Sequence, residues 1–451
     1  MTGRPGFRGA RIGRVLAVLA AAAVGLALAP DAAAQGFRIQ EGGPSLGNAG
    51  AGSAATAEDP TTAFFNPAGM TGIRGDRGAL LLNFVRTDLR FRDDGSTDRT
   101  DGEMRGGDGR NAGGLAFLPS LYAVLDRGDT WFGIGVNHPF GLSTDYGDDW
   151  VGRYHATRSS LTVTQVNPSV AWRLHDEFSF GLGLDLQQAR ATLENAIDFG
   201  SIAVDELGPG PAAALGLAPQ RDDGKATLSG SSFGVGANAG ILWLPREDTR
   251  VGLAWRSAVK HGLEGRARFA VPRDARQLTA AGDFRDTDAR VDITLPATLL
   301  LGAVHDLTPR WSLLGGLEWN DWSQFRELKI DLRDSRAGNL RQQQGWHDTL
   351  RSMAGVSWRP DARWTLRAGG SYDSSPVGRD ERRPRLPDAA RTTVAFGAGL
   401  RLSSRAALDL SYARFWTRTV PLDVADPDVG RLRGETRSRG DYVSLSVTVD
   451  L

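Results

Sequence analysis

The 451-residue chain contains no cysteine, which excludes disulfide frameworks, thiolate metal sites and cysteine nucleophiles. It has no excess charge of either sign. Its 53 basic and 53 acidic side chains cancel, which removes the electrostatic footing for nucleic-acid binding. Histidine is scarce, and the six present show no metal-ligand spacing. Long apolar runs are missing except near the N-terminus, so a bundle of membrane helices is excluded. What the sequence has in quantity is glycine, 57 residues spread among short alternating segments. That pattern predicts one large all-β unit rather than two or three soluble domains.

Residues 1–34 read as a secretory signal peptide. Arg4, Arg8, Arg11 and Arg14 make a positive start, residues 15–29 an apolar core, and alanines 32–34 a small-residue cleavage site before Gln35. The core has about 15 residues, short of the ~20 that a membrane helix needs, so export and cleavage are expected rather than an anchor.

From about residue 78 to residue 451 one unit repeats: eight to fifteen alternating residues, then a turn or a longer polar loop. In the last segment Val443, Leu445, Val447, Val449 and Leu451 share a face, against Ser444, Ser446, Thr448 and Asp450. Counting such segments gives fourteen strands, near 78–92, 111–125, 130–143, 159–174, 177–197, 225–244, 249–268, 290–306, 310–331, 346–359, 362–376, 391–403, 406–419 and 437–451. Six connections are short (126–129, 175–176, 245–248, 307–309, 360–361 and 404–405) and alternate with seven long ones such as 93–110, 198–224, 269–289 and 377–390. Strict alternation predicts an up-and-down transmembrane β-barrel of antiparallel strands, with short turns at one rim and long loops at the other. A soluble sandwich would use Greek-key connections and would not sort its loops this way. With the leader, this places the chain in the outer membrane of a Gram-negative bacterium. Trp131, Trp172, Trp243, Trp311 and Trp364, beside short turns, are expected in an interfacial girdle.

Residues 35–77 break the pattern, being rich in glycine and alanine with no period-two run. Composition alone leaves a plug in the lumen and a flexible tail about equally open. Gly36-Phe37-Arg38-Ile39-Gln40-Glu41, Ser45-Leu46-Gly47-Asn48-Ala49 and Asp59 to Asn66-Pro67-Ala68 resemble the N-terminal hatch of the FadL family. These are outer-membrane transporters for long-chain fatty acids and other hydrophobic compounds. The resemblance continues through Phe178 to Gly183, Leu295-Pro296, Trp322 to Phe325, Asp373 to Val377 and Leu386-Pro387-Asp388, and so covers the mature chain in order.

The resemblance implies a fourteen-stranded barrel plugged by the hatch. Substrate is caught among the external loops and passed to a lumen site. Hatch movement then lets it leave sideways at a kinked third strand. That strand carries Asn137-His138-Pro139-Phe140-Gly141. Proline deletes a ladder donor and glycine permits a bulge, so Pro139, Phe140 and Gly141 mark a place where pairing can fail. Pro119, Pro168 and Pro296 also fall inside strands. By the same likeness, Asn66, Pro67 and Ala68 should touch the kink. The fatty-acid members' lumen cations align with Asn195 and Gln342, with Arg190 and Arg341 nearby. That departure favours neutral ligands such as aromatic hydrocarbons, unless a shifted register brings Arg341 into service. Asp373 joins these as a candidate binding residue, and Arg367 is expected to pair with it.

The ninth strand slips phase near Asn320-Asp321, as one extra bulged residue would cause. Gly230-Ser231-Ser232-Phe233-Gly234 fits a nucleophile-elbow pattern but lies within a strand, so a lipid hydrolase is the weaker reading. Gly234-Val235-Gly236 has no following helix and is no dinucleotide loop. Asp283, Asp286 and Asp288 read as solvated loop charge rather than a calcium site. No cofactor and no metal are expected. The expected partners are the bilayer, a hydrophobic small molecule and the barrel-assembly machinery, for which the terminal Leu451, in place of an aromatic, is a weaker signal. A monomer is expected. An open diffusion porin remains the rival reading.

Overall fold

The computed structural model describes residues 36–279, 283–333 and 340–451; the leader read in residues 1–34 and its cleavage site lie outside them. Alternation sets the architecture. Along the last strand, Val443, Val447 and Val449 are exposed while Ser444 and Ser446 are buried. The same inversion recurs around the sheet, with leucines and tryptophans outside and Asn83, Gln165, Asp185 and Gln187 inside. An apolar outside and a polar inside is the pattern of a barrel whose solvent is lipid. No described helix is long and apolar enough to cross a membrane, so the crossing is made by strands.

There are fourteen strands, several with a short interruption. The first five are β1 (Arg77–Asp93), β2 (Leu115–Phe117 and Ser120–Asp126), β3 (Thr130–Asp145), β4 (Arg158–His175) and β5 (Phe178–Asp198). Then come β6 (Asp223–Arg246), β7 (Thr249–Arg256 and Val259–Ala270), β8 (Thr287–Leu295 and Thr298–Thr308) and β9 (Trp311–Asn320 and Glu327–Leu332). The last five are β10 (Leu340–Gln343 and Thr349–Trp358), β11 (Trp364–Asp373), β12 (Arg391–Arg401), β13 (Ala406–Thr417 and Val420–Asp426) and β14 (Gly430–Asp450). Each pairs antiparallel with the next, and β14 pairs along its length with β1, from Arg77↔Asp450 to Asp93↔Gly434, closing the cylinder.

The short turns fall where the alternation of loop lengths puts them. One long connection differs. The segment between β13 and β14 is strand to within three residues of its tip, with Asp426 opposite Gly430. Leu422, Val424 and Leu432 are buried there with Phe91 and Trp150, so an apolar cluster stiffens the wall above the membrane. The 198–224 loop holds two short helices, Phe199–Leu207 and Pro209–Ala214.

Two further expectations are corrected. The phase slip in β9 is not a single bulged residue: the strand leaves the wall over 321–326 through a 3₁₀ turn at Trp322–Gln324. Among the five tryptophans, Trp131 faces inward and donates its indole N–H to the Ile73 carbonyl at 2.9 Å. Trp243, Trp311 and Trp364 are exposed outside as expected.

The leading segment, 36–76, is mostly buried. Its contacts run around the inner wall. The Gly43 N–H donates to Ser444 Oγ of β14, the Asn48 amide to the Val356 carbonyl of β10, and the Asn66 amide to the Ile241 carbonyl of β6.

Candidate functional site

Ladder pairing between β2 and β3 runs from Asp126↔Trp131 up to Leu121↔Val136 and stops there. On its other side β3 stays with β4, but the register shifts between Asn137 and Phe140, across His138-Pro139. The freed edge of β3 has another partner. The Ile39 N–H donates to the Pro139 carbonyl at 3.0 Å, and the Gly141 N–H donates to the Phe37 carbonyl at 2.8 Å. Arg38 lies opposite Phe140 as an isolated antiparallel bridge. The leading segment therefore supplies the backbone that β2 withholds, which satisfies buried groups that would otherwise be orphaned.

Phe37 also seats in an aromatic cage. Its ring lies 4.8 Å from Trp322, 5.8 Å from Trp346, 5.9 Å from Phe325 and 6.2 Å from Phe140, mostly edge to face. Trp322 and Phe325 come from the excursion in β9, and Trp346 from the break in β10. Gly36 precedes the cage at φ +57°, and a Cβ there would meet the Trp322 ring at 2.6 Å, so only glycine fits. Arg38 makes a buried ion pair with Glu318 of β9. The Gly36 N–H donates to Asp388 in the 377–390 loop.

Above the cage lies an apolar cavity of about 90 Å³. Leu161, Leu263, Val291, Ile293 and Trp346 wall it, and Phe37 closes it from the segment below. The polar groups come from the 377–390 loop, from Gln342 and Gln344, and from Ser160 of β4. Arg385 is the group that matters. Its guanidinium donates to Ser159 Oγ, the Glu194 carbonyl and Asn195 Oδ1, all at 3.3 Å and all neutral acceptors. No carboxylate pairs with it among the described residues, and burial pushes its pKa down to about 10, so it stays cationic at neutral pH. Glu381 and Arg383 line the same cavity and offset one another in charge.

The candidates read from the sequence distribute unevenly. Gln342 lines the cavity and Asn195 holds Arg385 in place. Arg190 does not belong: it lies on the exposed outer face of β5, between inward Ala189 and Ala191. The side chain of Arg341 lies outside the described residues; its backbone pairs with Lys329. Asp373 is buried away from the cavity, 3.1 Å from Arg351 and 3.6 Å from Arg391. Arg367 pairs instead with Asp409 at 2.6 Å. Asn66, Pro67 and Ala68 pack beneath β5 and β6, where the Asn66 amide also donates to the Ala54 carbonyl; the residues at the kink are Phe37, Arg38 and Ile39.

Ser232 Oγ is 2.8 Å from His261 Nδ1, and His261 Nε2 is 3.1 Å from Gln187 Oε1. Both serine and histidine are strand residues facing inward, with no helix start beside them. Asp283, Asp286 and Asp288 form no group able to hold a metal among the described residues.

A family model described as "Outer membrane protein transport protein (OMPP1/FadL/TodX)" matches residues 25–451. The chain is 29% identical over 409 residues to a long-chain fatty acid transport protein of Escherichia coli O6:H1, covering 88% of this chain and 90% of that one. It is 28% identical to outer membrane protein P1 of Haemophilus influenzae, covering 86% and 87%. Among solved structures, a Pseudomonas aeruginosa FadL homologue superposes with a TM-score of 0.83 at 24% identity, over 93% of this chain and all of that one. The Pseudomonas putida toluene transporter TodX does so with 0.67 at 19%, over 92% and 99%.

Proposed function

The chain belongs to the outer membrane protein transport family (OMPP1/FadL/TodX), and from that premise we propose that it takes up long-chain fatty acids, with Arg385 as the carboxylate anchor. The observation that carries this reading is a cationic guanidinium facing an apolar cavity with only neutral partners. A carboxylate arriving there gains charge-assisted, potentially bidentate hydrogen bonds, while its chain gains ~0.8 kcal/mol per buried methylene. A neutral arene would gain the second term alone. The likeness to relatives named as fatty acid transport proteins supports the same choice.

The cavity of about 90 Å³ is smaller than the roughly 300–1,000 Å³ of sites for drug-sized ligands. A long chain enters only as Phe37 gives way. Phe37 is continuous with the backbone that fills the break in β3, so loading the site loosens the hatch at that break. Release then runs sideways through β2 and β3 past Pro139, Phe140 and Gly141, into the bilayer, and the chain avoids water at the periplasmic end. Asn66, Pro67 and Ala68 serve as the hatch's fixed footing rather than its moving edge.

The test is uptake of labelled long-chain fatty acid and of toluene in a strain lacking its own transporter. Arg385→Gln should lower fatty acid uptake about tenfold or more, as loss of a charged hydrogen-bonded contact implies, and leave toluene uptake unchanged. Equal loss of both, or of neither, overturns the anchor. We read the lumen as stoppered, so liposomes carrying the protein should not swell in small sugars; rapid swelling would favour a diffusion porin. The Ser232–His261 pair is read as part of the polar lining, not a hydrolase, and Ser232→Ala should leave ester hydrolysis by the purified protein at background. A monomer is proposed, tested by light scattering in detergent.

A further inference from the structure

We propose that the outer wall at β13, β14 and β1 binds the phosphorylated glycolipid of the outer leaflet through a groove built from arginines. The apolar strip of this wall ends at Phe84 on β1 and Val443 on β14, which are cross-strand partners. Immediately beyond, every outward position on these strands is charged through Arg92 and Glu435. Opposite one another lie Arg86 and Asp441, Asp88 and Arg439, Arg90 and Arg437, and Arg92 and Glu435. With Arg414 of β13 opposite Asp441, six guanidiniums share three carboxylates.

Asp88 is divided between Arg90 at 2.9 Å and Arg439 at 3.0 Å; Glu435 takes Arg92 at 3.0 Å, and Asp441 takes Arg414 at 2.7 Å. The Arg437 side chain makes no hydrogen bond or ion pair among the described residues, although it sits directly across from Arg90. Like charges facing each other across a ladder destabilise it unless an anion comes between them. A groove of about 520 Å³ opens at this point, lined by Arg90, Arg92, Arg437 and Arg110, with Glu435 and Asp108 as its two carboxylates.

Depth identifies the anion. Tyr412 and Trp416 are exposed on β13, with Trp416 opposite Arg439, and such aromatics sit at the membrane–water interface. The long loops lie on this side, so the interface is the external one. The groove therefore opens at the level of the outer leaflet's headgroups, where phosphates on a sugar base are available to paired guanidiniums. On β7, β8 and β9 the charged collar is more fully paired: Arg290 pairs with Glu264 and Asp292, Lys329 with Asp331, and Arg266 and Arg333 share Asp288.

Full-length protein extracted in mild detergent and weighed by native mass spectrometry, then challenged with added lipid A, tests this. The wild type should retain or rebind bisphosphorylated lipid A. The Arg90→Ser/Arg437→Ser pair should bind it about tenfold more weakly, as loss of charge-assisted contacts implies. An Arg266→Ser/Lys329→Ser pair in the balanced part of the collar should bind it as the wild type does. Heat-modifiable mobility reports folding of each variant. Equal binding of lipid A stripped of phosphate, or equal binding by the Arg90/Arg437 variant, overturns the proposal. Displacement by millimolar inorganic phosphate alone reveals a free-anion site and also overturns it.

Discussion

Two of the breaks in the wall's ladder are filled differently. Between β2 and β3 the gap is occupied by backbone from another part of the chain, residues 37–39. The second lies between β6 and β7. There the ladder is paired from Lys225↔Ala270 to Ser231↔Glu264 and again from Asn238↔Arg256, but not over 232–237. The wall's own side chains close it. A Cβ on Gly234 or Gly236 would meet Val259 at 2.7 Å, so the two glycines leave the room that Val259 and His261 occupy. The first filler belongs to the leading segment, outside the strands of the wall; the second is made of the strands' own side chains. A missing ladder is thus not in itself a door. What matters is whether the stopper is tethered to the frame or free to leave it.

The strongest way to break that comparison uses the absence of native cysteine. Arg38 and Phe140 form a bridge pair flanked by both hydrogen bonds, where Cα atoms are about 4.5 Å apart, within disulfide reach. Oxidised Arg38→Cys/Phe140→Cys should abolish fatty acid uptake, with recovery on reduction. A Gly234→Cys/Val259→Cys bridge across the other break should leave uptake within about twofold, because nothing there need move. Transport surviving the first bridge would show that the hatch backbone is not the moving part.

A smaller effect is expected from the buried Arg38–Glu318 pair. Glu318→Ala leaves a buried guanidinium without its partner and should loosen the docked segment by about 3–5 kcal/mol, read as faster hydrogen exchange at 37–41. Exchange at 232–237 should not change.

Glu41 sharpens the contrast further. Burial pushes its carboxyl up to about 7, and among the described residues no cation pairs with it. The docked segment therefore holds a proton more tightly than the undocked one. Docking is favoured fully below the ordinary value of 4.5 and weakens as pH rises toward 7. Protection of residues 39–43 should fall over that interval in the wild type and stay flat in Glu41→Gln. The smallest change is Trp131→Phe, which forfeits one hydrogen bond to Ile73 and should cost about 0.5–1.5 kcal/mol in thermal stability.

Strand number, loop alternation and the closing pair β14–β1 were all legible in the sequence, because a half-greasy strand must alternate. Two misreadings were avoidable on the same ground. Phe178, Phe180, Leu182, Leu184 and Leu186 put even numbers of β5 outside, and Arg190 with them; Phe132, Ile134 and Val136 likewise put Trp131 inside. The rest was not written locally. Trp322, Phe325 and Trp346 form a cage only because two neighbouring strands leave the wall at the same level, and Arg385 belongs to a loop with no period to fix its direction. Asn195, which the resemblance aligned with a family cation, accepts a hydrogen bond from Arg385, a contact no alternation pattern could foretell.

The 377–390 loop has two attachments. Its Arg385 faces the cavity, while its Asp388 accepts from the first described residue of the hatch, Gly36. The cavity's cation and the acceptor of the leading segment are thus carried by one mostly buried four-residue stretch of the same loop. Any displacement of this loop, whose exposed end is Arg379-Asp380, would therefore move the cavity's cation and the seat of residue 36 together.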